Sequence, residues 1–155
     1  MDFVQWEHSV PEEIRGDSLW KVKAYRFGMF IGDVGWQDVS RLNRDRRTRD
    51  LSNQLYRALG SISTNIAEGY SRSSGRDKAR FYEYALGSAR ESRDWYYKSK
   101  DVLGDEIVSH RKNLLTQIIR LIIKMIPQQR NRNIAEDYGG YDEDFTELIQ
   151  DVPLS

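Results

Sequence analysis

Apolar residues recur at three- and four-residue spacing along most of the chain, the signature of helices with one buried face. From Asp17 to Gly32, Leu19, Val22, Tyr25, Met29 and Phe30 keep that spacing, and Asp17 or Ser18 stands where a cap belongs. Gly32 and Gly35 then punctuate a loop. A second helix is predicted from Asp45 to Gly69, with Leu51, Leu55, Ala58, Leu59, Ile62 and Ile66 as its stripe. Gly60, Ser61, Ser63 and Ala67 accompany that stripe and allow another backbone to come close. A third helix follows the short connection Ser71–Gly75. Ser74 and Asp77 have the spacing of a capping box, and Gly104 is placed to end the helix in a left-handed conformation after Leu103. The fourth helix runs from Asp105 to Ile126, where Pro127 stops it.

Long helices joined by short loops make neighbours antiparallel. The expected fold is all-α, an up-down-up-down antiparallel four-helix bundle over residues 17–127. Residues 1–16 form an N-terminal extension, and residues 128–155 an acidic, largely flexible tail. Within that tail, Phe145, Leu148 and Ile149 suit one short helical turn that forms on docking. The topology returns the chain after Pro127 to the end carrying the second connection. Glu136, Asp137, Asp142, Glu143, Asp144 and Glu147 are therefore expected near Arg72, Arg76, Lys78 and Arg80.

The third and fourth helices carry more apolar surface than one core absorbs. At about 100° per residue their apolar positions cover arcs of roughly 220° and 200°, from Phe81 to Leu103 and from Leu114 to Ile126. A packed helix needs a stripe only a little over about 100° wide. The surplus calls for a partner, and a second copy of the chain is the simplest. Tyr84, Trp95, Tyr97, Ile119 and Ile123 are the expected oligomer interface.

Composition narrows the chemistry. Among 155 residues there is no Cys and there are two His, so thiol catalysis and thiolate metal sites are excluded. No run of about 18 apolar residues suggests a membrane span, and the opening lacks the basic-then-apolar order of a signal peptide. A soluble, cytoplasmic protein is expected. The zero net charge hides a division: residues 37–133 carry 20 basic and 11 acidic side chains, whereas residues 134–155 carry no basic and seven acidic ones. Such asymmetry fits an anionic partner for the body of the chain.

Two basic stretches are candidates for that partner. Arg41, Arg44, Arg46, Arg47 and Arg49 place five guanidinium groups in nine residues, and their forks match phosphate geometry. The competing reading is that Asp38, Asp45 and Asp50 pair with them on a wet surface. Arg72, Arg76, Lys78 and Arg80 interleave with Tyr70, Phe81 and Tyr82, as in surfaces where bases stack on rings while cations hold the backbone. Aromatics at helical spacing are more usually core or interface. Phosphate-loop and dinucleotide glycine motifs are absent, and neither His follows a Glu at Glu-x-x-His spacing. Glu68 and Glu91 are better placed to pair with Arg80 or Arg90 than to hold a metal. The expectation is a protein that is not an enzyme and takes no cofactor.

One set of residues is distinctive: Ser61-Ile62-Ser63-Thr64-Asn65-Ile66-Ala67-Glu68-Gly69-Tyr70, then Arg80-Phe81, then Ala85-Leu86-Gly87-Ser88-Ala89-Arg90-Glu91. It resembles the small four-helix-bundle proteins encoded in intervening sequences of some bacterial 23S rRNA genes, over roughly residues 17–126. The chain departs from that pattern at Ser63, where Pro is usual, at Thr64, where Ala is usual, and at Lys78, where Phe is usual. Loss of the Pro should straighten the second helix, and Lys78 puts a charge where an apolar group is the rule. The resemblance implies a ring-shaped homopentamer around a central channel. It also implies kinship with the accessory variability determinant proteins of diversity-generating retroelements, basic pentamers that bind a reverse transcriptase and nucleic acid. RNA or a ribonucleoprotein is then the expected partner, with a protein-binding scaffold for a reverse transcriptase as the alternative.

Overall fold

The computed structural model describes residues 2–130 and 145–155. Every regular element among them is helical: α1 (Phe3–Ser9), α2 (Glu12–Arg15), α3 (Lys23–Arg44), α4 (Arg49–Tyr70), α5 (Gly75–Lys98), α6 (Lys100–Leu103), α7 (Asp105–Arg130) and α8 (Phe145–Gln150). Four long helices form a bundle in which α3 packs on α4, α4 on α5, α5 on α7, and α7 back on α3. No described helix is long and apolar enough to cross a membrane.

The start of the first long helix differs from the sequence expectation. Asp17 does cap, accepting from the Leu19 N–H at 2.8 Å, but what it caps is a single 3-10 turn, Ser18–Lys21. The α-helix proper begins at Lys23 and continues straight through Gly32 and Gly35 to Arg44. Each Gly costs a helix interior about 1 kcal/mol relative to Ala. Here the local preference is overridden by packing: Phe27, Phe30, Ile31, Val34, Val39 and Leu42 are all buried on one continuous face. At Gly35 a Cβ would lie 3.2 Å from the Tyr96 hydroxyl and closer still to Leu59, so the missing side chain lets α3 approach α4 and α5.

Other boundaries follow the residues that mark them. Ser74 Oγ accepts from the Asp77 N–H at 3.1 Å at the start of α5, and Gly104 adopts φ +87° between α6 and α7. The helix predicted to run unbroken to Leu103 breaks at Ser99 into α5 and α6. Pro127 does not stop the last long helix, which runs on to Arg130. Its ring removes one hydrogen bond. Yet Ile126 is buried on the side facing the core, and the Gln129 carbonyl packs against Gly75, so tertiary contact holds the final turn.

Paired contacts give the sense of each helix. Gly28 faces Ile62 and Ser63 while Gly35 faces Leu59, and Arg93 bonds Thr116 while Gly75 meets Gln129. Helices α3 and α4 thus run in opposite senses, as do α5 and α7.

The segment ahead of the bundle is folded onto it. Asp2 and Gln5 form a reciprocal capping box for α1, and Phe3 and Trp6 enter the core. Their rings sit 4.8–5.2 Å from those of Phe27 and Phe30. Trp6 Nε1 donates to Asp33 at 2.6 Å, and Arg26 pairs with Glu7 at 3.0 Å. Helix α8 contacts both α1 and α7, and Leu148 and Val152 are buried. The two ends of the chain together therefore cover the seam between α3 and α7.

Candidate functional site

The arginine-rich segment straddles two helix ends rather than opening one helix. Arg41 and Arg44 lie in the last turn of α3, Arg46 and Arg47 in the connection, and Arg49 at the first position of α4. Cations in a last turn are favourable, because the unpaired carbonyls there carry partial negative charge. Thr48 Oγ1 donates to the Leu42 carbonyl at 2.7 Å and holds the connection in place.

Arg47 is engaged: its Nη2 and Nε reach Asp45 at 2.8 and 3.1 Å. The hydrogen bonds from Arg47 hold the Asp45 carboxyl down, to about 2. Arg49 donates to the Asn43 carbonyl at 3.5 Å. Arg41, Arg44 and Arg46 are exposed and form no ion pair among the described residues. Of the three acids that could have neutralised the cluster, Asp45 is occupied by Arg47 and Asp38 is turned inward, fully buried, while Asp50 is exposed in the first turn of α4 and forms no ion pair among the described residues.

The second basic stretch is spent largely on the protein itself. Arg72 and Arg80 lie 4.6 and 5.5 Å from the Phe81 ring centroid. Lys78 Nζ donates to the Tyr70 carbonyl at 2.8 Å, closing the end of α4. Tyr82 is buried against Gly69, where a Cβ would lie 2.7 Å from its ring. Arg76 is exposed. The rings expected to interleave with cations as a stacking platform are thus covered or buried.

The acidic tail also ends elsewhere than expected. Residues 131–144, which hold Glu136, Asp137, Asp142, Glu143 and Asp144, lie outside the described residues. The segment beyond them docks near the start of α7: the Leu148 carbonyl meets His110 Nε2 at 2.8 Å, and the Pro153 carbonyl accepts from Arg111 Nη2 at 2.7 Å. His110 and Arg130 are about 30 Å apart along α7, at 1.5 Å per residue. Glu147, expected beside Arg72–Arg80, is therefore carried to the other half of the bundle. The short turn expected around Leu148 and Ile149 is present as α8.

That docking exposes the centre sequence reasoning missed. Arg111 is wholly buried and donates to Asp38 through Nε at 2.7 Å and Nη2 at 3.2 Å. Tyr96 donates its hydroxyl to the same carboxylate at 2.8 Å. Burial above all, and then the Asp38 charge, push the Tyr96 phenol well above its ordinary range. Arg111 Nη1 lies 2.8 Å from His110 Nδ1. A guanidinium only donates, so Nδ1 accepts and the ring proton sits on Nε2, aimed at the Leu148 carbonyl. Burial holds the His110 pKa below the usual histidine value, and the Arg111 charge adds to that. The pairing suggested for Glu68 or Glu91 with Arg80 or Arg90 is not the buried one: Glu68 and Glu91 are exposed, and Glu91 accepts from Trp95 Nε1 at 3.2 Å.

The expected interface residues divide. Tyr84 and Tyr97 are about half exposed, at 51% and 52%, with Lys100 and Lys112 over the Tyr97 ring. Trp95 and Ile123 are partly buried. Ile119 is fully buried inside the protomer and has no surface to offer another copy. The chain's own α8 packs on α7, with its hydrogen bond at His110, ahead of Leu114–Ile126. A further exposed pair, Trp36 and Tyr56, lies on α3 and α4 with ring centroids 5.6 Å apart.

No group of three or more His, Asp or Glu side chains placed to hold a metal ion occurs among the described residues. No curated protein and no solved structure matches the chain. A protein-family match covers residues 35–126, from the middle of α3 through the core-facing length of α7, and so takes in Arg41–Arg49, Asp38, Tyr96 and Arg111 together. The chain belongs to the 23S rRNA-intervening sequence protein family.

Proposed function

We propose that this protein is a homo-oligomeric, non-enzymatic helical bundle of the cytoplasm that binds RNA or a ribonucleoprotein through the Arg41–Arg49 end. The observation that carries this reading is the uncompensated charge of Arg41, Arg44 and Arg46. All three are exposed; Asp38 and Asp45 are committed to Arg111 and Arg47, and Asp50, exposed in the first turn of α4, pairs with none of them. Recognition would be electrostatic and shape-based, repeated once per copy. The same reading takes the bundle as up-down-up-down and the assembly as a ring of five, with Tyr84, Trp95, Tyr97 and Ile123 facing the neighbouring copy. The opposed senses of α3 and α4, and of α5 and α7, support the first point, and the half-exposed tyrosines of α5 support the second.

Salt dependence tests it. Single-stranded RNA affinity should fall with salt on a log–log slope of about −0.7 per phosphate engaged. Replacing Arg41, Arg44 and Arg46 by Ser should flatten that slope by about 2 units and leave the melting temperature unchanged. An unchanged slope would assign the cluster to surface solvation. The second reading, a protein-binding scaffold such as a reverse-transcriptase subunit, is favoured by the Trp36–Tyr56 pair, two large exposed rings side by side on α3 and α4. Failure of the parent protein to bind single-stranded RNA at low salt, with a reverse transcriptase bound instead and released by Trp36→Ser, would favour the second reading.

A further inference from the structure

Residues 145–155 are anchored without using any charge of their own. The Leu148 carbonyl meets His110 Nε2, the Pro153 carbonyl accepts from Arg111 Nη2, and the Leu148 and Val152 side chains are buried. The two carboxylates of this stretch, Glu147 and Asp151, are exposed and form no ion pair among the described residues.

The anchors set this segment beside the arginine end. Arg111 Nη2 bonds the Pro153 carbonyl at 2.7 Å and Asp38 Oδ1 at 3.2 Å, so the tail passes within about 6 Å of the Asp38 carboxylate. Along α3, Asp38 is about 4.5 Å from Arg41 and about 9 Å from Arg44, at 1.5 Å per residue. The helix register agrees. At about 100° per residue, Arg41 projects within about 20° of Phe30 and Val34. Phe30 carries the rings of Phe3 and Trp6 from α1, and α8 lies against α1. Arg41 therefore continues the face of α3 that the two terminal segments cover.

Unpaired arginines and unpaired carboxylates thus stand on adjoining surfaces with no ion pair between them. Charges separated on this scale are incompletely screened, since the Debye length is about 8 Å at physiological salt. An anion approaching Arg41, Arg44 and Arg46 meets the field of both groups.

We propose that residues 145–155 are a built-in competitor for the anion taken up at the arginine end. Docked, the Glu147 and Asp151 carboxylates weaken anion binding by Arg41, Arg44 and Arg46. A bound polyanion in turn loosens the tail, because coupling between two binding events is reciprocal. The proposal rests on the RNA-binding reading only in that this end takes anions.

The test is a titration of the full-length protein at low salt with two probes, inorganic polyphosphate and a single-stranded RNA oligonucleotide. Glu147→Gln with Asp151→Asn keeps every anchor, so the melting temperature should hold while polyphosphate binds at least about threefold more tightly. The gain should fade at about 1 M salt, where the Debye length is about 3 Å. It should also disappear when Arg41 and Arg44 are replaced by Ser. Leu148→Ala with Val152→Ala, which loosens the docking and keeps the charge, should tighten binding as well. Glu13→Gln with Glu68→Gln changes net charge equally at exposed positions near the start of α3 and the end of α4, and should leave affinity unchanged. In the parent, backbone amides of residues 146–152 should exchange hydrogen faster with polyphosphate bound. Polyphosphate binding without RNA binding would overturn the RNA reading and leave this proposal standing. Equal affinity of the parent and the Glu147→Gln, Asp151→Asn protein would overturn the proposal. So would an equal gain from Glu13→Gln with Glu68→Gln, tail exchange indifferent to polyphosphate, or no polyphosphate binding by any of these proteins.

Discussion

Asp38→Ala is the sharpest perturbation of the fold available in this protein. Asp38 accepts from Arg111 twice and from Tyr96 once, at 2.7, 3.2 and 2.8 Å, and all three residues are fully buried. Removing the carboxylate strands a guanidinium, a loss of about 3–5 kcal/mol for one partner of a buried pair. It also leaves a phenol without its acceptor, about 1 kcal/mol more. The expected loss is therefore about 4–6 kcal/mol, a large part of the roughly 5–15 kcal/mol that holds a domain folded. At about 2–4 °C per kcal/mol, that is a fall of about 8–24 °C in melting temperature. Urea unfolding at one fixed protein concentration is the assay, since self-association would otherwise shift the midpoint. Asp38→Ala with Arg111→Met should be the more stable protein by at least about 2 kcal/mol, because the unpaired charge is gone. A single variant that loses under about 1 kcal/mol, or a double variant no better than the single, would refute the reasoning.

His110 should make stability fall on the acid side. Its folded pKa is lowered from 6.5, chiefly by burial, so the unfolded chain takes up the proton first. The contribution is complete above pH 6.5 and is lost as pH falls through the lower folded value. Protonating Nδ1 also sets two donors against each other at Arg111, so residues 145–155 should become protease-sensitive at mild acid. His110→Gln, which cannot titrate, should remove that pH dependence, and a persisting acid slope would place its origin elsewhere. For assembly, light scattering should give several times the protomer mass, with five copies preferred. Tyr97→Asp should reduce that mass without lowering the far-ultraviolet helical signal, since Tyr97 is 52% exposed in the protomer. A parent protein that scatters as a monomer would sink the ring.

Helices α4, α5 and most of α7 were legible in the sequence because their local signals agree with their packing. The Leu55–Leu59–Ile62–Ile66 stripe, the Ser74 cap and Gly104 each state locally what the structure does. The misreadings are places where local signal and tertiary contact disagree. Gly32, Gly35 and Pro127 carry low helix propensity, and packing from Phe30, Ile31, Leu59 and Gly75 outweighs it. Asp38 was read as a surface partner for arginines only three to eleven residues away in sequence. Its spacing from Ile31, Val34, Gly35 and Leu42 instead puts it on the buried stripe of α3, just as Arg111 sits on the stripe of Leu114, Leu115 and Ile118. One acid and one base, each alone on an apolar face, are a recognisable sign of a buried pair, though periodicity cannot say which helices meet.

The consequence reaches the surface. Because Asp38 turns inward to Arg111, it cannot neutralise the arginine end, and the charge left on Arg41, Arg44 and Arg46 is a by-product of how the core is paired. The same Arg111 holds the Pro153 carbonyl, which lies beyond the family-matched residues 35–126. One buried guanidinium thus ties the chain's C-terminal segment to the helix whose last turn, just beyond Asp38, presents Arg41 and Arg44. Core pairing, tail docking and exposed charge are in this protein a single arrangement, and a substitution at Asp38 should be read in RNA affinity as well as in stability.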